Sequence, residues 1–281
     1  MTRMRVILLT TTAMLAFAGN SLLCRMALRH TAIDAASFTS IRIISGALVR
    51  WLIIRSRGEK ISGAGSWTSA LALFTYAAGF SFAYVSLPAA TGALLLFGAV
   101  QATMIGHGFW QGERLRRPQL AGLMLAFGGL IGLLLPGLSA PPPGAGMLML
   151  GAGISWGIYS LRAKGASDPT LVTAGNFMRA APLAAGLCIV MLPTLALDAS
   201  GILYAVASGA LTSGLGYAVW YTALRGLKAG SAATVQLSVP VIAAMGGVAF
   251  LGEPLTLRLL VTSTLILGGI ALFILDARRR A

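Results

Sequence analysis

Gly112-Glu113-Arg114-Leu115 closes one apolar run, and Gly252-Glu253-Pro254-Leu255 closes another about 140 positions later. Gly128-Gly129 follows the first phrase and Gly268-Gly269 the second, at the same remove. Self-similarity at a fixed spacing is the mark of a duplicated structural unit. In both copies the residues after the phrase open a new apolar run, so the phrase reads as a loop between two spanning segments. The chain is therefore expected to hold two copies of one membrane-embedded unit, residues 1–140 and 141–281.

Composition narrows the class. The 281 residues are 57% hydrophobic and only 10% charged, whereas a soluble domain carries about a quarter charged residues. The partner this implies is the lipid bilayer. The net charge of +14 does not imply nucleic acid, because the Lys and Arg residues punctuate apolar runs and form no basic face. Cys24 and Cys188 each fall inside an apolar run, outside any CxxC or metal spacing, and read as small buried residues. There is no HExxH or GxxxxGK[ST], so the sequence offers no carrier for metal catalysis or nucleotide hydrolysis, and neither an enzymatic activity nor a cofactor is expected. The two histidines, His30 at the outer mouth of helix 1 and His107 near the opposite membrane face, cannot share a site with one buried serine.

A bilayer crossing needs about 20 apolar residues. Cutting the chain at its charged and Pro/Gly breaks gives runs near 5–28, 35–54, 67–87, 89–110 and 118–136. After Pro141-Pro142-Pro143 come runs near 144–163, 170–192, 201–224, 230–251 and 256–275. The predicted fold is all-α, with ten transmembrane helices. Arg3, Arg5 and Ala16-Phe17-Ala18 imitate a cleavable secretory signal. The apolar run continues to Leu23, however, and the first copy would lose a helix without it.

Orientation follows from the basic residues. With the N-terminus in the cytoplasm, Arg55, Arg57, Lys60, Arg114, Arg116, Arg117, Arg162, Lys164, Arg225, Lys228 and Arg278–Arg280 fall inside, and only Arg29 and Arg258 fall outside. Five spans per copy make the second copy inverted relative to the first, with both termini cytoplasmic. Gly19 and Gly157 match across the copies, as do Arg42 and Arg179.

The doubled Gly-Glu-x-Leu phrase, the two Gly-Gly pairs and the five-plus-five arrangement resemble the drug/metabolite transporter superfamily, EamA type. Within it, the size and aromatic helices are most similar to the YddG-type aromatic amino-acid exporters. The resemblance covers nearly the whole chain. It implies alternating access around a central cavity lined by helices 1, 3, 4, 6, 8 and 9, in a bacterial inner membrane, with a small-molecule substrate.

Tyr76, Phe80 and Tyr84 recur every four residues and so share one helix face. Trp156 and Tyr159 are central in helix 6, and Tyr217, Trp220 and Tyr221 lie in helix 8. Tyr76, Phe80, Trp156, Tyr159, Tyr217 and Trp220 are the expected walls, and Asn20, Gln101, Gln236 and Ser238 the expected polar contacts. Each amide has an alternative use as an interhelical hydrogen bond. Pro240, read at mid-helix, is the expected hinge. Arg42 and Arg179 are intramembrane charges, which flag function by default, although bonding of carbonyls at helix ends is the competing reading. Glu113 and Glu253 are expected to accept from the free N–H groups of the helix that follows each.

No Asp or Glu falls inside a span, which leaves a carboxylate relay without residues. The expected activity is export of small amphiphilic metabolites, aromatic and other neutral amino acids foremost, facilitated or weakly coupled. A broader drug exporter, and a channel or structural membrane subunit, remain open at this level. The oligomeric state is not legible.

Overall fold

The computed structural model describes residues 1–281 apart from 60, 62, 113–115, 138, 139, 164, 165, 167, 228–231, 233, 234 and 279–281, with backbone only at 276–278. Ten helices account for nearly all of the described residues, and no strand occurs among them. The first five are α1 (Arg3–His30), α2 (Ala35–Ser56), α3 (Trp67–Tyr84), α4 (Ala89–Trp110) and α5 (Arg117–Leu134). The second five are α6 (Pro143–Ala163), α7 (Pro169–Val190), α8 (Ala199–Leu224), α9 (Ser238–Leu251) and α10 (Leu257–Arg278).

Seven helices, α1, α2, α4, α5, α6, α8 and α10, are long and apolar enough to cross a bilayer, and the chain is an integral membrane protein. α3 and α7 are diluted by Ser, Thr, Tyr, Asn and Arg. α9 is shorter than the 230–251 run led us to expect. Val235 and Gln236 are helical, Leu237 interrupts the winding, and α9 begins at Ser238. Pro240 therefore lies in the first turn of α9 and not at mid-helix, a place where its missing N–H leaves no bond unmade.

The helix ends explain the repeated phrase. Gly112 (φ 89°) and Gly252 (φ 61°) both stand in the left-handed region just past a helix, a conformation that a β-carbon disfavours. Glu113, Arg114 and Leu115 lie outside the described residues. At the opposite corner Asp34 caps α2: its Oδ1 accepts from the Ala36 and Ser37 N–H groups, both at 2.9 Å. Its Oδ2 accepts from the Ala196 N–H at 2.9 Å, tying this loop to the segment that enters α8.

α3 and α4 pack on α6, α1 and α2 on α8, α2 on α7, α4 on α9 and α5 on α10. The last three pairs are antiparallel. Gly132 faces Thr262 while Gly122 faces Leu272 and Phe273; Ser40 bonds the Ala184 carbonyl while Gly46 meets Phe177; and Ala89, opening α4, lies by Gly247 near the end of α9. Within α8, Ser208–Leu215 winds as a π-helix, a wide turn often found at functional sites. Its Gly209 abuts the Arg42 carbonyl of α2.

The Gly-Gly pairs divide their labour. A β-carbon on Gly269 would collide with the Gly122 carbonyl, and one on Gly129 would press on Ile266, so α5 and α10 cross backbone against backbone. Gly128 and Gly268 have nothing within 4 Å. Beside them α5 turns Leu120, Met124 and Ile131 outward, the surface a lipid-facing helix presents. Replacing Gly269 by Leu should destabilise the protein by about 1–3 kcal/mol or more, through overpacking. Replacing Gly268 by Leu should leave stability unchanged. Melting temperatures of both variants in detergent test the pair.

Candidate functional site

A cavity of about 580 Å³ penetrates the bundle from the end where α4, α6 and α8 finish. Met104, His107 and Gln111 border it from α4, Trp156 and Ser160 from α6, Tyr217, Trp220 and Tyr221 from α8, and Phe17 from α1. Its inner end is an aromatic cluster. Trp156 lies 4.8 Å from Tyr76, 5.0 Å from Tyr217 and 5.3 Å from Tyr159 between ring centroids, and Phe17 meets Tyr217 and Trp220 edge-on at 5.8 Å. Beyond the cluster a small recess continues among Asn20, Ser21, Tyr76, Phe80 and Phe97.

A polar network runs behind these rings. Asn20 donates to Tyr76 Oη at 3.3 Å, and its Oδ1 accepts from Ser208 Oγ at 2.6 Å and Thr212 Oγ1 at 3.2 Å in the π-helical segment. Arg42 donates through Nη2 to Tyr76 Oη at 2.9 Å and packs over the Tyr76 and Phe80 rings. Arg50, fully buried, donates to the Ser213 carbonyl at 3.0 Å and lies over Phe177 and Tyr217. Each cation thus sits 4.8–5.3 Å from two ring centroids, within cation–π range.

The end opposite the cavity mouth is sealed by charge. Arg25 Nε meets Glu253 Oε1 at 3.0 Å, with side chains only 9% and 5% exposed. Arg25 Nη1 also donates to the Tyr84 and Val85 carbonyls at the end of α3, both at 2.9 Å. Glu253 Oε2 accepts from the Ala89 N–H at 2.7 Å, and the more exposed Arg29 stands 3.7 Å from Oε1. The carboxylate thus serves the N-terminus of α4, and not that of the next helix α10, as the sequence had suggested. The reason is tertiary: α4 and α9 pack antiparallel, so the start of one meets the end of the other. Gly252 sets the geometry, since its left-handed turn folds the Glu253 N–H back onto the Gly247 carbonyl at 3.0 Å.

Of the residues expected at the site, Trp156 and Tyr217 border both the cavity and its recess, Trp220 the cavity, and Tyr76, Phe80 and Asn20 the recess alone. Gln101 and Gln236 line the large cavity. Tyr159 is stacked behind Trp156 and is 1% exposed. Ser238 turns away, donating to the Val235 carbonyl at 2.7 Å, a carbonyl of the short turn that ends where Leu237 interrupts the winding. Arg179 donates to the Ala64 and Gly175 carbonyls, outside the cavity. Phe17, Arg25 and Arg50 are the residues that sequence reasoning missed. Arg25 and Arg50 carried a usable signal, an arginine within an apolar run, that had been applied only to Arg42 and Arg179.

A ten-helix membrane protein with a one-ended, aromatic-walled cavity and a sealed far end has the anatomy of a small-molecule transporter. Residues 144–275 match the EamA-like transporter family. The uncharacterized protein PA1977 of Pseudomonas aeruginosa is 56% identical, over 99% of this chain and 97% of its own length. The chain belongs to the EamA-like transporter family of the drug/metabolite transporter superfamily. A protein of known crystal structure, 23% identical, superposes with a TM-score of 0.70 over 99% of this chain and 100% of its own; at that identity the likeness concerns the fold.

Removing one member of a buried ion pair costs about 3–5 kcal/mol, because the other is left as an uncompensated charge. Glu253→Gln should therefore loosen the sealed end. Cys24, fully buried one residue before Arg25, reports on it. In a Cys188→Ser background, a membrane-impermeant maleimide should label Cys24 in the Glu253→Gln variant and not in the parent; equal labelling of the two would show that the pair does not close this end.

Proposed function

We propose that the protein exports small amphiphilic metabolites, aromatic and other neutral amino acids foremost, by alternating access around the aromatic cavity. The observation that carries this reading is the asymmetry of the pathway. A cavity of about 580 Å³, within the range of about 300–1,000 Å³ usual for small-molecule sites, is open at one end. It stops at a ring cluster, and a buried ion pair closes the other end. A channel would need a continuous path, so the closed end favours a carrier.

The same reading gives the topology. The halves 1–140 and 141–281 act as inverted repeats with both termini in the cytoplasm of a bacterial inner membrane. The antiparallel contacts of α2 with α7, α4 with α9 and α5 with α10 support this. A two-fold axis lying in the membrane plane pairs equivalent helices head to tail, whereas an axis along the membrane normal would pair them in parallel. The open mouth, bordered by Arg225 and His107, is then cytoplasmic, and the Arg25–Glu253 seal is periplasmic.

Transport on this reading is facilitated or weakly coupled. His107 stands at the mouth, exposed and paired with Gln111 at 3.0 Å, away from the ring cluster. A wider drug/metabolite range is the second reading, and the volume of the cavity is what favours it.

Trp156 touches three other rings and forms the floor on which a cargo ring would stack, an interaction worth about 0.5–1.5 kcal/mol beyond area burial. Trp156→Ala should lower counterflow of phenylalanine and tryptophan in proteoliposomes by roughly tenfold, since burial of the ring adds to that term. Alanine counterflow should change less. Undiminished flux of the aromatic substrates would sink the assignment of the wall.

A further inference from the structure

Among the described residues, the buried centre behind the cavity holds more N–H donors than it satisfies. Arg42 (2% exposed) leaves Nη1 without a partner, and Arg50 (0% exposed) leaves both Nε and Nη1. Gln101 Nε2, on the cavity wall, and the Tyr159 hydroxyl behind Trp156 are also unpartnered. Among the described residues no carboxylate lies within 4 Å of either guanidinium. Such a centre is costly, since buried donors without acceptors and buried charges without counter-charges each oppose folding.

The other arginines of the spans provide the comparison. Arg25 is met by Glu253 and two carbonyls, and Arg179 and Arg258 donate to carbonyls at helix ends or in loops. An arginine placed here for structure is therefore given acceptors. Arg42 donates to the Tyr76 hydroxyl and, through Nε at 3.4 Å, to Ser213 Oγ, and Arg50 donates to the Ser213 carbonyl; their other N–H groups are given aromatic faces, which stabilise a cation but accept few hydrogen bonds. Two uncompensated charges beside one cavity bias it toward anions.

The route from these charges to the cavity is Tyr76. Its oxygen accepts from both Arg42 and Asn20, and its own proton has the Tyr217 hydroxyl, on the wall of the large cavity, within reach. Its ring borders the recess. A phenol whose oxygen is held by a guanidinium is a strengthened donor, because hydrogen bonds in series polarise one another. Tyr76 thus offers an O–H backed by positive charge, in the recess itself or relayed through Tyr217 to the wall of the large cavity.

We infer that this centre is a receptor for the carboxylate of the cargo. The Tyr76 hydroxyl, supported by Arg42 and with Arg50 adding positive potential from behind Tyr217, selects aromatic compounds that carry a carboxylate. The amino group of an amino acid is dispensable, since no acidic side chain among the described residues lines the cavity or its recess to receive it. This rests on the transporter reading above and sharpens its substrate class from amphiphilic metabolites to aromatic carboxylates.

Binding to the purified full chain, followed by microscale calorimetry or thermal shift, decides the matter with four ligands: phenylalanine, phenylacetate, phenylalanine amide and phenethylamine. The first two should bind about ten- to a hundredfold more tightly than the last two, the span that one charge-assisted hydrogen bond contributes. Arg42→Gln and Arg50→Gln should reduce that preference, and Arg42→Lys and Arg50→Lys should retain part of it. The wild-type comparison stands even if a variant fails to fold. Equal binding of acids and amide or amine overturns the carboxylate receptor while leaving the transporter reading intact. Stabilisation by chloride alone, without discrimination in the panel, overturns it in favour of a resident ion. Binding of none of the four overturns both the aromatic-cargo reading and this one.

Discussion

Inside a bilayer a polar group can be satisfied only by the protein itself, and the architecture follows from that constraint. Backbone groups are satisfied by winding ten helices. Where winding is interrupted, a polar group answers. The π-helical turn of α8 leaves the Ser213 carbonyl to Arg50, the opening of α4 is met by Glu253, and the carbonyls at the end of α3 accept from Arg25. Departures from regular helix and buried charges therefore occur together, and they cluster around the cavity and its sealed end. The outward faces of α5 and α10, which have no such breaks, carry apolar residues.

Aromatic and polar residues have complementary tasks in this arrangement. The rings of Phe17, Tyr76, Trp156 and Tyr217 shape the cavity and exclude water from what lies behind them. Behind them Asn20 joins α1, α3 and α8 through Tyr76, Ser208 and Thr212. Asn20 is thus both a lining residue and an interhelical clasp, and the choice between those two uses, open from sequence, does not arise. The walls are held in register by the same bonds that polarise them.

What could be read from sequence was periodic. The spacing of four that puts Tyr76, Phe80 and Tyr84 on one face survives folding, since helix geometry alone fixes it; their rings follow one another at 5.5 and 4.7 Å. Nine of the ten helices begin and end close to the breaks in the apolar runs. What could not be read was tertiary. Arg50 lies a few residues from the end of its run, where a basic side chain usually reaches for the interface. Only the packing of α2 against α7 and α8 turns it inward. Phe17 was hidden by its resemblance to part of a signal-peptide cleavage site. Glu253 looked like a cap for its own neighbour because the pairing of α4 with α9 is nowhere written in the local sequence.

The left-handed turn at Gly252 has a genetic consequence. Any other residue there faces backbone strain of about 1–2 kcal/mol, relieved by shifting the turn that presents Glu253 to Arg25 and Ala89. The electrostatic seal can therefore be damaged by a mutation in a codon for an uncharged residue that touches none of its partners. Its mutational target is wider than the two charged positions, and the glycine of the repeated phrase belongs to it as much as the glutamate does.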